Sequence, residues 1–163
     1  MQSFGNSVWA MSDAKRKAYQ QCKERIFALC EGETDEIAKM ASVSCVLGHE
    51  MAGFFWTGFY RMVQGELVVG PYQGTVGCLR IQVGRGVCGA AAETGETQVV
   101  PNVHEFPGHI ACDARSQSEI VVPVTNVAGE LIAVLDIDSE ELGNFDEVDR
   151  EELEEIVNRV FSV

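Results

Sequence analysis

Six cysteines divide into two groups by their neighbours. Cys22, Cys30 and Cys45 fall in stretches with helical periodicity, where a free thiol acts as a small hydrophobe and fills core. Cys78, Cys88 and Cys112 instead adjoin small or turn-forming residues, in Gly77-Cys78, Cys88-Gly89 and Ala111-Cys112-Asp113, and fit no amphipathic stripe. Cys112 lies in a long stretch without periodicity. A thiol in a polar loop is accessible, and its reactivity then depends on how well its thiolate is stabilised. Arg115, His104 and His109 are the nearby candidates for that role. Spacing alone leaves both a redox role and no role open for Cys112. A Cys3His zinc site built from this trio with His104 or His109 is weakly signalled, because the cysteine intervals are 10 and 24 residues with no C-x2-C knuckle. A Cys112–His109–Asp113 protease triad is weakly signalled too: residues so close in sequence rarely assemble into one.

A second constellation joins aromatics and acids. Trp56 and Tyr60 are four apart in a period-two stretch, so they share a face. Asp136 and Asp138, two apart in LIAVLDIDS, also share one, and Glu119 opens the strand that follows the Cys112 loop. If these faces coincide, the product is a cage of carboxylates and rings. Such a cage suits a cation, including the α-ammonium of an amino acid. Strand-end capping by the acids and core packing by the rings account for the same residues.

These side chains need elements to hold them. Residues 1–12 are aperiodic and read as an arm, with Phe4 and Trp9 to tuck it in, ahead of a domain over residues 13–163. A first helix is predicted from Asp13 to about Leu29, with Ala18, Cys22, Ile26 and Leu29 on one face. A second begins at Thr34 or Asp35 and stops at Gly48. Period two then takes over in GFFWTGFYRMV and ELVVGPY, a hairpin across Gln64–Gly65. A short strand or tight connection over 75–84, a short helix over 86–95 and a strand in TQVVPNV follow. The stretch 104–118 is irregular, and EIVVPVTNV and ELIAVLDID form a second hairpin. A closing helix runs from Phe145 or Asp146 to about Val160, and its many acids read as a solvated face. Hairpins flanked by helices predict an α+β fold with a largely antiparallel sheet.

Composition narrows the partners. The 163 residues carry 12 Lys and Arg against 25 Asp and Glu, a net charge of −13. That balance argues against nucleic acid or an anionic membrane as the main partner. No apolar run reaches membrane-spanning length. Met1–Met11 lacks the basic and apolar regions of an export signal, so the cysteines are expected in the reducing cytoplasm. No metal or organic cofactor is implied.

The run HIACDARSQSEIVVPV, after GVCG and PNV, resembles the signature region of the free methionine-(R)-sulfoxide reductases, which are single GAF domains. The resemblance rests on the Cys78/Cys88/Cys112 trio, C-D-x-x-S-x-S-E from Cys112 to Glu119, W-x-x-x-Y at Trp56–Tyr60 and D-x-D at Asp136–Asp138. It implies a GAF fold: a central antiparallel sheet with the terminal helices on one face and a ligand pocket on the other. It implies that Cys112 is the nucleophile, Cys78 the resolving thiol and Cys88 a further thiol able to join the exchange. Trp56, Tyr60, Glu119, Asp136 and Asp138 match the family's pocket positions. The implied activity is reduction of free methionine (R)-sulfoxide through a Cys112 sulfenic acid and a disulfide, with a thioredoxin-like dithiol as reductant. Glu119 or one of the two aspartates is the implied proton donor, because crowded carboxylates raise one another's pKa. Stereospecificity and a homodimer follow from the resemblance alone. The rival reading is a non-enzymatic GAF module that senses a small ligand or redox state. Its cyclic-nucleotide version resembles an Asn-Lys…Phe-x-x-x-Asp-Glu pattern, of which only Phe145 and Asp149 are present.

Overall fold

Helical periodicity opens the chain. The computed structural model describes the backbone of residues 4–163 and side chains from Met11 onward. Helix α1, Phe4–Cys30, starts nine residues before the expected Asp13. The stretch read as an arm is therefore helical from Phe4, and no structural break separates residues 12 and 13. Once a helix nucleates, each added residue costs only its propensity, and residues 4–12 hold no proline and one glycine. The expected packing of Phe4 and Trp9 lies outside the described side chains. Helix α2, Glu36–Glu50, is capped by Asp35, whose side chain accepts from the Ala38 N–H at 2.9 Å. It runs past the predicted stop at Gly48. That glycine serves packing: a Cβ there would lie 3.1 Å from Gln73 Cβ and 3.7 Å from Thr57 Cβ.

The strands follow as predicted in kind. Strands β1, Trp56–Val63, and β2, Glu66–Gln73, join through Gln64–Gly65, both at positive φ (52° and 80°), as a two-residue hairpin of type I′ requires. Then come β3 (Arg80–Gln82), α3 (Gly86–Thr94) and β4 (Gln98–Val100). An irregular segment leads to β5 (Ser118–Thr125), β6 (Leu131–Ser139) and α4 (Glu147–Phe161). The sheet is antiparallel throughout, in the order β3-β2-β1-β6-β5-β4.

Strand alternation gives this sheet two buried faces. Phe59, Ile120, Val122, Ala133, Leu135 and Ile137 point to one core, shared with α1, α2 and α4. Trp56, Tyr60, Val121 and Val134 point to the other, with Val87, Cys88 and Ala91 of α3. The fold is α+β, with the terminal helices on one face, as expected. Among the described residues, no helix is long and apolar enough to cross a membrane.

The closing helix departs from a purely solvated reading. Asp149 is buried, accepting from Tyr19 Oη at 2.7 Å and pairing with Lys15 Nζ at 2.6 Å. Glu152 takes Lys23 at 2.6 Å and Arg16 at 3.0 Å. These acids fasten α4 to α1. Asp149 also accepts from the Asp146 N–H, closing a capping box. Removing one member leaves buried polar groups unpaired, so Asp149→Ala is expected to lower unfolding free energy by about 3 kcal/mol. A fall in the urea midpoint at unchanged slope would register it. Glu147→Ala, at an exposed position of the same helix, should leave the midpoint nearly unmoved.

Candidate active site

Register assembles the site. Across β1, β6 and β5, Trp56 pairs with Asp138 and Asp138 with Glu119. In the adjoining row on the same face, Gly58 pairs with Asp136 and Asp136 with Val121. Two consecutive rows of one face thus hold all three acids and, through Trp56, the aromatic wall. The coincidence of faces left open by the sequence is realised.

The aromatic wall depends on two close approaches. Trp56 stacks on Tyr60 and on Tyr72, with centroids 5.7 and 5.1 Å apart. A Cβ on Gly58 would fall 2.2 Å from Tyr72 Cβ and 2.9 Å from Trp56, so the stack requires glycine there. A Cβ on Gly77 would meet Tyr60 Oη at 3.0 Å and Trp56 at 3.1 Å. The segment carrying Cys78 is therefore laid directly on the rings. Trp56 Nε1 holds it further by donating to the Thr75 carbonyl at 2.9 Å.

The second cysteine segment is tied to the first. Cys78 and Cys112 form a disulfide, with Cα atoms 5.5 Å apart. Thr75 Oγ1 donates to Asp113 Oδ2 at 2.8 Å. Asp113 in turn holds Arg115 in a fork, at 3.1 and 2.9 Å, and the guanidinium lies 4.6 Å over the Phe55 ring. Arg115 is thus committed to Asp113 and Phe55 rather than poised over Cys112. Ser116 Oγ donates to Asp138, so the irregular loop is also fastened to the acid row.

One cavity gathers these groups. Trp56, Tyr60, Cys88, Cys112, Glu119, Asp136 and Asp138 all line it. Of the predicted site residues only Cys78 does not, and it enters through its bond to Cys112. Neither a zinc set nor a protease triad is formed from Cys112: its sulfur is bonded to Cys78, and Asp113 faces Thr75 and Arg115. His109 lines the cavity with Nε2 3.8 Å from Glu119 Oε2, and His104 faces Gln117. Sequence reasoning missed Thr75, Ser116 and Phe55 as site-forming residues. Ser116 and Asp113 lie inside the C-D-x-x-S-x-S-E stretch, which was their available signal.

The electrostatics are unusual. Among the described residues no Lys or Arg forms an ion pair with Glu119, Asp136 or Asp138. Asp136 Oδ1 is buried with no hydrogen-bond partner. Burial raises the Glu119 carboxyl well above its ordinary range, and Asp136 and Asp138 add to the rise. Burial does the same to Asp136, with Asp138 next. Asp138 is pushed up to about 6 by burial, against the pull of the Ser116 hydrogen bond. The Cys88 thiol rises too, through burial and then the charges of Asp136 and Glu119. His109 is lowered by burial and by His104. Burial and mutual repulsion therefore favour protonated carboxyl groups able to donate, and the charge that remains attracts a cation.

Comparisons with known proteins show what the chain is similar to. The GAF domain family matches residues 36–160. A protein of Bacillus subtilis named YtsP is 47% identical, over 90% of both chains. The free methionine-R-sulfoxide reductase of Escherichia coli is 42% identical, over 91% of this chain and 90% of that one. The X-ray structure of the Neisseria meningitidis free methionine-R-sulfoxide reductase with its substrate superposes with a TM-score of 0.84, at 44% identity. It covers 88% of this chain and 87% of that one.

The raised Asp138 carboxyl has a measurable consequence. Its folded pKa of about 6 stands above the ordinary aspartate value of 3.8, so the folded state holds the proton more tightly. The stability this group contributes is complete below 3.8 and is lost as pH rises through about 6. Asp138→Asn keeps an acceptor for Ser116 and removes the charge. It should raise the unfolding free energy of the ligand-free protein at neutral pH by no more than roughly 3 kcal/mol, seen as a higher thermal midpoint, with the gain vanishing at about pH 4. Thermal unfolding of both proteins across that range checks it, and a gain independent of pH would contradict it.

Proposed function

The chain belongs to the GAF domain family and, within it, to the free methionine-R-sulfoxide reductases, and we propose that it reduces the (R)-sulfoxide of free L-methionine to L-methionine. The observation that carries the reading is the cation-seeking acid row of Glu119, Asp136 and Asp138, set against the aromatic wall and beside Cys112.

In this reading the α-ammonium of the substrate sits among the acids and supplies the missing positive charge. Trp56 and Tyr60 bound the side chain and direct the sulfoxide toward Cys112. The Cys112 thiolate attacks the sulfoxide sulfur while a protonated carboxyl delivers a proton to its oxygen. Two electrons pass from the Cys112 sulfur to the substrate, and the oxygen ends on Cys112 as a sulfenic acid. Glu119 is our choice of donor: it is buried, lines the cavity and is held protonated by its surroundings. The Cys78 thiol then condenses with the sulfenic acid, forming the disulfide and releasing water. A thioredoxin-like dithiol in the cytoplasm returns two electrons and two protons to the pair. Cys88 is a third thiol within the same site.

Restriction to the free amino acid follows from the same charges. A peptide bond removes the ammonium and leaves buried acids without a partner, a mismatch that sites of this kind reject strongly. The test is a thioredoxin-coupled NADPH-consumption assay with the free R epimer, the free S epimer and a peptide-bound sulfoxide. Turnover is expected only with the free R epimer. It should be abolished by Cys112→Ser, and Glu119→Gln should lower kcat/KM by about 100-fold or more. Unchanged kcat/KM in Glu119→Gln would remove that residue as donor. No turnover with any sulfoxide, in folded and reduced protein, would favour a non-enzymatic sensing module.

A further inference from the structure

Cys88, Glu119 and Asp136 come from three separate elements, α3, β5 and β6, and meet at the floor of the cavity. One ligand atom of each, the Cys88 sulfur and a carboxylate oxygen of each acid, lies within 4.8 Å of the others. Cys88 Sγ is already 3.9 Å from Glu119 Oε1. All three residues are buried, and Asp136 is 6% exposed with its Oδ1 unpartnered. We propose that this floor is a binding site for a thiophilic divalent cation, of the Zn(II) or Cd(II) class, held by the Cys88 sulfur and one oxygen each of Glu119 and Asp136.

The geometry fits such an ion with small rotations. Zinc–sulfur and zinc–oxygen bonds near 2.3 and 2.1 Å place tetrahedral ligand atoms about 3.5 Å apart. The present separations, none above 4.8 Å, must close by up to about 1.3 Å, which side-chain rotation on the three elements would supply. The charges fit as well. A thiolate and two carboxylates are hard to bury alone, and a dication relieves them. A metal of this class deprotonates the coordinating thiol outright. This set differs from the zinc set weighed from sequence, since Cys78 and Cys112 take no part. His109 lines the same cavity, with Nε2 3.8 Å from Glu119 Oε2. Harder dications such as magnesium are disfavoured by the sulfur ligand. The ion occupies the ground given above to the substrate ammonium, so it acts as an inhibitor rather than a cofactor. That consequence alone rests on the reductase reading.

The experiment uses the full chain with the Cys78–Cys112 disulfide closed, which leaves Cys88 as the cavity's one thiol. Cys30→Ala and Cys45→Ala remove thiols outside the tight core. Titration with Cd(II) is read by the sulfur-to-metal charge-transfer absorption in the ultraviolet. The expected result is one Cd(II) per chain, displaced by Zn(II) and not by Mg(II). Cys88→Ser should abolish the band. Asp136→Asn, which retains the thiol, should keep the band and weaken binding roughly tenfold or more. A matching thermal transition establishes that each variant is folded. No band in the parent protein overturns the proposal, as does a band that survives Cys88→Ser or an affinity unmoved by Asp136→Asn. The titration needs neither sulfoxide nor reductant. Turnover without metal binding removes this site alone, and metal binding without turnover removes the reductase reading alone.

Discussion

Three clustered acids without a paired cation, Glu119 and Asp136 buried and Asp138 partly so, are the constraint around which the rest is arranged. Glu119, Asp136 and Asp138 sit on neighbouring rows of one sheet face, at the centre of a hydrophobic layer. The same chain shows how it treats a buried acid that only supports the fold. Asp149 is given Lys15, Tyr19 and a backbone N–H. The cavity acids receive Ser116 on Asp138 and a distant His109 and thiol on Glu119. Desolvation is therefore left uncompensated on one face and satisfied on the other. An arrangement of this kind is unfavourable in the empty protein and becomes favourable when a cation fills it.

The aromatic stack and the cysteine segments are built onto that acid row as one unit. Gly58 lets Trp56 and Tyr72 close on each other, and Gly77 lets the Cys78 segment lie on Trp56 and Tyr60. Thr75 then joins this segment to Asp113, beside Cys112. Ser116 joins the Cys112 loop to Asp138. The parts that would position a cation, wall a side chain and hold two thiols within bonding distance are thus mutually fastened. A shift in any one is felt by the others, because each link is a direct contact or hydrogen bond.

Much of this was legible in the residues. Period-two stretches fixed the two hairpins, and D-x-D with W-x-x-x-Y placed acids and rings on strand faces. Whether those faces coincided was not legible, because register is set by pairing across strands distant in sequence. The extent of α1 was hidden for a related reason. Residues 4–12 carry no amphipathic pattern, and the helix extends through them by cheap propagation. Gly48 looked like a helix stop, while its contact with Gln73 lies 25 residues away and leaves no local trace. Thr75 and Ser116 acquire their roles only through tertiary contacts of this sort. The acids of α4 looked uniformly solvated since a one-dimensional pattern does not show that α1 lays Lys15, Arg16 and Lys23 against them.

The geometry also distinguishes the three cysteines by their surroundings. Cys88 is enclosed, and burial beside Asp136 and Glu119 holds it as a thiol. A protonated, enclosed thiol is a poor nucleophile toward a sulfoxide. Cys112 lies on the irregular loop at the cavity wall, joined to Cys78 on a segment that rests on the rings. In the proposed reaction this division has a chemical purpose. The attacking sulfur must reach both the substrate and, afterwards, a reductant outside, which a loop position allows and the floor does not. The floor thiol sits where the cation belongs, so the acids that suppress it as a nucleophile are the same groups that make the floor attractive to positive charge. Substrate selection and thiol selection are then two results of one electrostatic arrangement.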